Sequence, residues 1–242
     1  RVYSLAEARG AAERIGYPVV VKRVDSSGSR GITVVEQPEK LDEAYYYASE
    51  RTTKDYVLVE GFIRGTEIGV DGFVQDGQMV FLAPHTKFVY RGKNTTIPVG
   101  HAFPYHCTQE VYDEIGRQMQ AAVSAAGADQ CSVNADVFVD GNKVSIIEMG
   151  GRTGATCIPE LISIYYGFDF YEKMLRSALG EQVEFNCTGS QPCMAKLLLS
   201  PVEGKITSID KEGIRALEEQ GVTVSLDFPA GHKVFAMADG TD

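Results

Sequence analysis

The sequence predicts an α+β fold made of two lobes and a small β-rich C-terminal part. Three observations lead to this prediction. Short apolar strands alternate with helix signals over the first sixty residues, longer strands joined by Asp-Gly turns follow, and short strands return after Pro192. We therefore expect the lobes at residues 1–60 and 61–185, and an incomplete β-rich subdomain at 186–242.

The first lobe opens with a helix. Ser4-Leu5-Ala6-Glu7 is a capping box, in which the two polar side chains satisfy backbone N–H groups of the first turn, and Gly16 is the expected stop. The other elements expected here are strands at 19–22, 32–35 and 56–60 and a helix from Pro38 towards Arg51.

The second lobe is predicted from turn signals and one amphipathic helix. Gln75-Asp76-Gly77 predicts a turn between strands at 66–74 and 78–83. The polar residues 85–106 are expected to be irregular. A long helix with one buried face is indicated by apolar side chains at i+4 spacing, namely Val111, Ile115, Met119 and Val123. The later elements expected are a hairpin at 134–148, a helical stretch from Ile158 to Leu179 interrupted at Gly167, strands at 194–199, 204–209, 222–227 and 232–236, and a helix at 211–219.

Composition and charge exclude several classes of protein. The net charge of −10 argues against a nucleic-acid-binding surface, and no apolar run reaches the ~18–20 residues of a membrane span. The five cysteines include no Cys-x-x-Cys pair and the four histidines no His-Glu-x-x-His pattern, so a zinc hydrolase is not expected. Reduced thiols in a cytoplasmic protein are the simplest interpretation.

The hairpin around Asp140-Gly141 is the most informative segment, because two β-branched runs flank its turn. With a three-residue turn, Asp136 lies opposite Ile146, and Glu148 is its diagonal neighbour on the same face, roughly 7–8 Å away. Acids within apolar strands are costly unless a cation or donor meets them. Beside Arg152, the two acids therefore predict a cradle for Mg²⁺ and a phosphate chain. An edge hairpin with both acids in water is the alternative.

A loop rich in serine and glycine follows the strand that ends at Lys22. Such a loop can surround phosphates with backbone N–H groups, and its glycines permit close approach. It is neither a Walker A loop nor a dinucleotide fingerprint, since the chain contains no Gly-Lys-[Ser/Thr] and no Gly-x-Gly. A flexible hairpin loop is the alternative. The candidate phosphate-binding residues are Ser27, Gly28, Ser29, Arg30 and Gly31.

Two acids lie at the junction of the expected lobes. The third strand ends at Glu60, and Glu67 follows seven positions later. Nucleotide pockets commonly form between lobes, where backbone groups can contact an adenine edge while a carboxylate holds ribose hydroxyls. The backbone candidates are Gly61, Phe62 and Ile63. Solvated strand ends are the alternative for both acids.

Taken together in chain order, these elements resemble the ATP-grasp superfamily, and the resemblance extends over about residues 3–182. The spacing of twelve residues from Asp136 to Glu148 matches related enzymes such as biotin carboxylases, and Arg152 follows Glu148 by four residues, as in the family. The elements that carry the resemblance are Gly16-Tyr17-Pro18-Val19-Val20-Val21-Lys22, the glycine-rich loop, Glu60 with Glu67, Asp136 with Glu148, and Arg152.

The resemblance implies a role for each of these positions. The residues implied to hold ATP are Lys22, a lid formed by Ser27 to Gly31, Glu60 with the backbone of Gly61 to Ile63, Glu67 and Lys87. Asp136 and Glu148 are implied to bind Mg²⁺, with Mn²⁺ as a substitute. Lys22 and Arg152 are the catalytic candidates, and Arg152 would steady the transferring phosphoryl group.

One position departs from the family pattern. The family usually has an asparagine metal ligand two residues after the glutamate, but Gly150 occupies that position here. Asn134, on the same strand face as Asp136, is a candidate substitute. A water ligand or a weakened metal site is the alternative.

Within the superfamily, the chain is similar to the carboxylate–amine ligases that join amino acids. The similar segments are 148–155, 158–161, Thr86-Lys87, 99–104 and the tail. The resemblance implies an ATP-dependent ligase that activates a small carboxylate as an acyl phosphate for attack by an amine, with a homodimer left open. A bicarbonate-activating enzyme and a non-catalytic ATP-binding module are the alternatives. The family places another α/β domain before Arg1, so this part alone is expected to be inactive.

Overall fold

The computed structural model describes residues 1–25, 31–91 and 96–236, and its first unit is a three-stranded sheet under two helices. The elements are α1 (Leu5–Ile15), β1 (Val19–Lys22), β2 (Ile32–Val35), a 3₁₀ turn (Pro38–Lys40), α2 (Leu41–Ser49) and β3 (Leu58–Gly61). The strands are antiparallel in the order β2-β1-β3. The capping box is confirmed, since the Ser4 hydroxyl accepts from the N–H of Glu7 at 3.2 Å and α1 ends at Gly16.

Six strands of the described chain form a larger antiparallel sheet in the order β8-β7-β4-β5-β6-β9. Its elements are β4 (Thr66–Gln75), β5 (Gln78–Arg91), β6 (Thr96–Phe103), α3 (Gln109–Ala126), β7 (Cys131–Asp140), β8 (Lys143–Gly150), α4 (Ile158–Tyr166), α5 (Phe170–Ala178) and β9 (Cys193–Lys196). The helices within the described residues are all too short or too polar to cross a membrane.

Helix α3 covers one face of this sheet. Its four predicted core residues are buried, with Val111 4% exposed and the other three fully enclosed, so the periodicity is confirmed. They pack against alternate residues of the central strands, including Ile68, Val70, Ala135 and Val137. Because side chains alternate along a strand, the residues between these face the other side of the sheet.

The opposite face of the sheet is divided into an apolar and a polar half. Helices α4 and α5 cover the apolar half, which is largely aromatic. The main members of this cluster are Phe73, Phe81, Phe103, Ile158, Ile162 and Phe170. The polar half continues the same rows of side chains on the same strands, and it contains the residues of the candidate site.

The structure corrects the prediction that residues 85–106 are irregular. Strand β5 extends to Arg91, and β6 begins at Thr96 and pairs with it. The polar side chains of this segment, such as His85 and Lys87, do not mark a loop. They lie instead on a strand whose face is a polar site.

The tail differs from the prediction in three respects, one being that the strands predicted at 204–209 and 232–236 are each only two residues long. Strand β9 pairs with β6 at the edge of the large sheet, whereas the sequence grouped it with the tail. Residues 222–227, where a strand was expected, form none in the described part of the chain. The segment is mostly exposed. The other tail elements are β10 (Gly204–Lys205), α6 (Lys211–Glu218) and β11 (Lys233–Val234), and β10 pairs with β11.

We expect Ile115→Ala to lower the free energy of unfolding by about 2–5 kcal/mol, because the substitution opens a cavity between α3 and the sheet. Urea unfolding measures this loss. Val80→Ala is the control, since Val80 is an aliphatic residue of β5 that is 43% exposed, and we expect little change there. Equal losses for both variants would contradict the assigned core.

Candidate functional site

The β7–β8 hairpin brings Asp136 and Glu148 directly opposite each other on one sheet face. The same-face prediction is confirmed, but the predicted pairing of Asp136 with Ile146 is wrong. The turn contains two residues, Gly141-Asn142, and Ile147 is an extra residue in β8 that shifts the register. Side chains of directly opposed residues have Cβ atoms about 4.5–5.5 Å apart. The two acids are therefore closer neighbours than the sequence indicated.

Asn134 lies directly opposite Gly150, one step along the same face. A Cβ at Gly150 would meet only Arg152 Cγ within 4 Å, at 3.7 Å, so the position beside the Asn134 amide is open. In the described chain, no three His, Cys, Asp or Glu side chains are grouped as a metal site. The oxygens available to a divalent cation are thus two carboxylates and one amide, and such hard oxygen donors suit Mg²⁺ or Mn²⁺.

Lys87 pairs with Glu67, one of the two acids at the junction of the lobes (the hinge acids), and with Asp136 of the hairpin. Its ammonium lies 2.8 Å from Glu67 Oε1 and 2.7 Å from Asp136 Oδ1, and its side chain is 4% exposed. Burial alone would lower the pKa of Lys87, but Asp136 and then Glu67 outweigh it, so the pKa is raised. Lys87 therefore stays charged and pairs with both acids, offsetting one of their two negative charges. Glu67 is not the solvated strand end that the sequence left open.

The other hinge acid is paired within the small sheet. Lys22 Nζ lies 2.8 Å from a carboxylate oxygen of Glu60, and the lysine side chain is 19% exposed. The N–H of Phe62 donates to the carbonyl of Pro18 at 3.1 Å, so it is already used. Gly61 continues β3, opposite Val19. Of the predicted backbone contacts to adenine, the N–H of Phe62 is thus engaged within the protein.

Arg152 lies in the loop after β8 and is exposed. Its Nη1 donates to the carbonyl of Thr153 at 2.8 Å. Among the described residues it forms no ion pair with Glu148 or Glu160, and Glu160 instead accepts from Tyr171 at 2.8 Å. The guanidinium is therefore open to a ligand rather than engaged in a structural ion pair.

The predicted lid falls mostly outside the described residues. Ser27, Gly28, Ser29 and Arg30 belong to the part of the loop that is not described. Gly31 follows it with φ +75°, a left-handed conformation that favours glycine, and a Cβ there would lie 2.7 Å from Arg23 Cδ. Glycine is therefore favoured at position 31 both by the backbone conformation and by the lack of space for a side chain.

Sequence reasoning missed three buried polar residues on the same face, Asp71, His85 and His101. Asp71 interrupts an apolar strand, the same signal that identified the hairpin acids. A Cβ on Gly69 would lie 2.1 Å from the His85 ring, so glycine provides the space for this imidazole. The His85 and His101 rings meet edge to face, with centroids 4.8 Å apart.

His101 is held in its neutral form. Burial is the main cause, followed by the neighbouring His85 and Lys87, and together they lower the pKa of His101 to about 3. The imidazole thus adds no positive charge beside Lys87 near neutral pH.

The sequence pattern of the ATP-grasp domain matches residues 15–160. This segment includes the hinge acids, Lys87, the hairpin acids and Arg152. The match therefore covers the three-stranded sheet and five of the six strands of the larger sheet, including its polar half, but not β9.

Known proteins with similar sequences and structures include several ligases and transferases. The chain is 28% identical over 185 residues to the D-alanine--D-alanine ligase of Geobacter sulfurreducens, covering 74% of this chain and 58% of that protein. It is 30% identical over 234 residues to the formate-dependent phosphoribosylglycinamide formyltransferase of Synechococcus sp. (strain CC9902), covering 91% and 55%. The crystal structure of phosphoribosylglycinamide synthetase from Anaerococcus prevotii superposes with a TM-score of 0.74 and 26% identity, covering 100% and 61%. The chain thus spans little more than half the length of these relatives.

The low pKa of His101 predicts a pH-dependent stability. Below its ordinary pKa near 6.5, the unfolded state takes up a proton that the folded state does not, so stability falls as the pH falls from about 6.5 towards 3. Between pH 7 and pH 5, His101 should lower the free energy of unfolding of the wild type by about 2 kcal/mol, and we expect His101→Phe to abolish this loss.

Urea unfolding at both pH values measures the effect. His106→Phe is the control. Because His106 is exposed, we expect this substitution to leave the pH dependence of stability unchanged. If the stability of His101→Phe depends on pH as that of the wild type does, His101 is not held as a buried neutral imidazole.

Proposed function

Since the chain belongs to the ATP-grasp family, we propose that the complete protein is an ATP-dependent carboxylate–amine ligase. The family uses ATP with a divalent metal, and we propose Mg²⁺, with Mn²⁺ able to replace it. The observation that carries the proposal is the row of oxygen donors on one sheet face, with Asp136 opposite Glu148 and Asn134 beside them. Lys87 borders this row, and the open guanidinium of Arg152 follows it.

The proposed reaction has two steps. An oxygen of the substrate carboxylate attacks the γ-phosphorus of ATP, the bond to the β,γ-bridging oxygen breaks, and ADP leaves. The amine then attacks the carbonyl carbon of the acyl phosphate, the C–O bond to phosphate breaks, and the amine gives up a proton as the amide forms. Phosphoryl transfer needs mainly positioning and charge neutralisation from the protein.

We propose three cations of the chain for that neutralisation, with Arg152 contributing most, because Lys22 and Lys87 are already paired with acids. Lys22 ends β1 where the glycine-rich loop begins, and Lys87 lies between Glu67 and Asp136. Arg152 offers a planar fork of donors that suits phosphate oxygens and stays charged at any working pH. A bound divalent cation, held by Asp136, Glu148 and Asn134, would withdraw charge from the phosphates.

A screen of the full-length protein tests the proposed function. ADP release is measured with amino acids, dipeptides and bicarbonate, each with and without an amine. We expect ADP and phosphate to form in step with an amide, and only when carboxylate and amine are both present. ADP release that depends on bicarbonate would identify a bicarbonate-activating enzyme. ATP binding without turnover in every arm would identify a non-catalytic module.

We expect Arg152→Lys in the full-length enzyme to lower kcat by about 10²–10³-fold, as for the loss of one donor to transition-state charge. The KM for ATP should change little, because ground-state ATP is also held by other groups. Arg117→Lys is the control, since this exposed arginine pairs with Glu114 on α3. A lower melting temperature with an unchanged kcat would show that Arg152 is only structural.

We expect Asn134→Ala to weaken Mn²⁺ binding by about 10-fold in the presence of ADP, as measured by electron paramagnetic resonance. Because Gly150 lies directly opposite with space for a side chain, adding Gly150→Asn should restore the affinity. Gly150→Asn alone serves as the control. If Asn134→Ala binds Mn²⁺ as the wild type does, Asn134 is not part of the metal site.

A further inference from the structure

The carboxylate of Asp71 is a buried junction between separate parts of the polar face. The residue lies within β4 and has no exposed surface. A buried charge is costly unless it is fully hydrogen-bonded. Among the described residues, its partners are the N–H of Gly154 at 2.7 Å, the Asn134 amide at 2.8 Å, His85 Nε2 at 3.1 Å and the Thr153 hydroxyl at 3.3 Å. These partners come from β5, β7 and the loop after β8.

The two oxygens of Asp71 serve different neighbours. Oδ2 accepts from the Asn134 amide and lies 3.1 Å from His85 Nε2. Oδ1 accepts from Thr153 and Gly154 in the loop after β8. One oxygen therefore contacts the sheet, and the other contacts the loop.

The contact with Asn134 determines which atom of its amide is free. The NH₂ group of Asn134 donates to Asp71 Oδ2 at 2.8 Å, so it is the nitrogen of the amide that faces Asp71. The amide oxygen then occupies the other branch of the side chain. That oxygen is the atom a divalent cation would need at this position.

The contact with the loop fixes the residues next to Arg152. The N–H of Gly154 is bound to Asp71, and the Arg152 guanidinium donates to the carbonyl of Thr153 at 2.8 Å. A Cβ on Gly154 would lie 3.1 Å from Asp71 Oδ2 and 3.0 Å from Asn134 Nδ2. The close fit shows that the loop is packed directly onto this junction.

We propose that Asp71 is a positioning residue for the metal and phosphoryl site, a role that rests on the proposed function. It turns the amide oxygen of Asn134 towards the cation and holds the loop that carries Arg152. In this role Asp71 contacts neither substrate nor metal, and it acts through Asn134 and the loop.

The first test is Asp71→Asn in the full-length protein. The new amide has one oxygen and one NH₂ group, so it can satisfy either the loop or Asn134, but not both. With ADP present, we expect Mn²⁺ affinity measured by electron paramagnetic resonance to fall about 10–100-fold, as when an orienting partner of a metal ligand is lost. The KM for ATP should change much less than kcat.

A second variant exchanges the two groups, combining Asp71→Asn with Asn134→Asp. The amide oxygen at position 71 can accept from the loop, while its NH₂ group donates to the new carboxylate at position 134. That carboxylate still presents an oxygen to the cation. We expect this pair to recover most of the Mn²⁺ affinity lost in Asp71→Asn.

Gln75→Leu is the matched control for simple loss of buried hydrogen bonds. Gln75 is a buried residue on the same face of β4, and its amide exchanges two hydrogen bonds of 2.8 Å with the backbone of Val183. We expect this variant to lower the melting temperature and leave Mn²⁺ affinity unchanged.

The outcomes separate the inference from the function on which it rests. If the wild type binds Mn²⁺ with ADP but Asp71→Asn binds it equally well, the positioning role is wrong. If Asp71→Asn does not fold, the exchanged pair decides, and a pair that is unfolded or binds weakly overturns the role. Failure of the wild type to bind Mn²⁺ with nucleotide would remove the proposed function itself.

Discussion

The candidate site depends on the register of the strands around β4. Gly69 lies opposite Asp136 and Asp71 opposite Asn134, while Ile68 and Val70 face α3. Side chains alternate between faces, so a slip of one residue would turn these polar groups into the α3 core and expose the apolar ones. The cost of burying carboxylates under α3 therefore selects the register, and the register places the oxygen donors together.

The pairing of charged groups within the polar face follows from that register. Lys87 contacts Glu67 and Asp136, and Asp71 is satisfied by hydrogen bonds rather than by an ion pair with lysine or arginine. His101 remains neutral, which avoids a further positive charge beside Lys87. Groups held in this way lose little freedom when a ligand binds, which is the preorganisation that phosphoryl transfer requires.

The sequence predicted those features that depend on neighbouring residues. Turn residues, the helix cap at Ser4 and the periodicity of α3 are local, and they located the elements and the hairpin acids. The exact pairing of Asp136 with Glu148 depends on Ile147, an extra residue that no turn pattern reveals. Asp71 was missed because its partners are contributed by β5, β7 and a distant loop, and only the folded sheet brings them together.

We propose that this face of the sheet supports the activation of a carboxylate by ATP. An ¹⁸O-transfer measurement on the full-length enzyme tests it most directly, using the carboxylate that the ADP-release screen identifies. An acyl phosphate leaves one carboxylate oxygen on the phosphate when the amine displaces it. We predict that ¹⁸O from the labelled carboxylate appears in the released phosphate, one atom per turnover. Phosphate without the label, formed in step with the amide product, would show that no acyl phosphate forms.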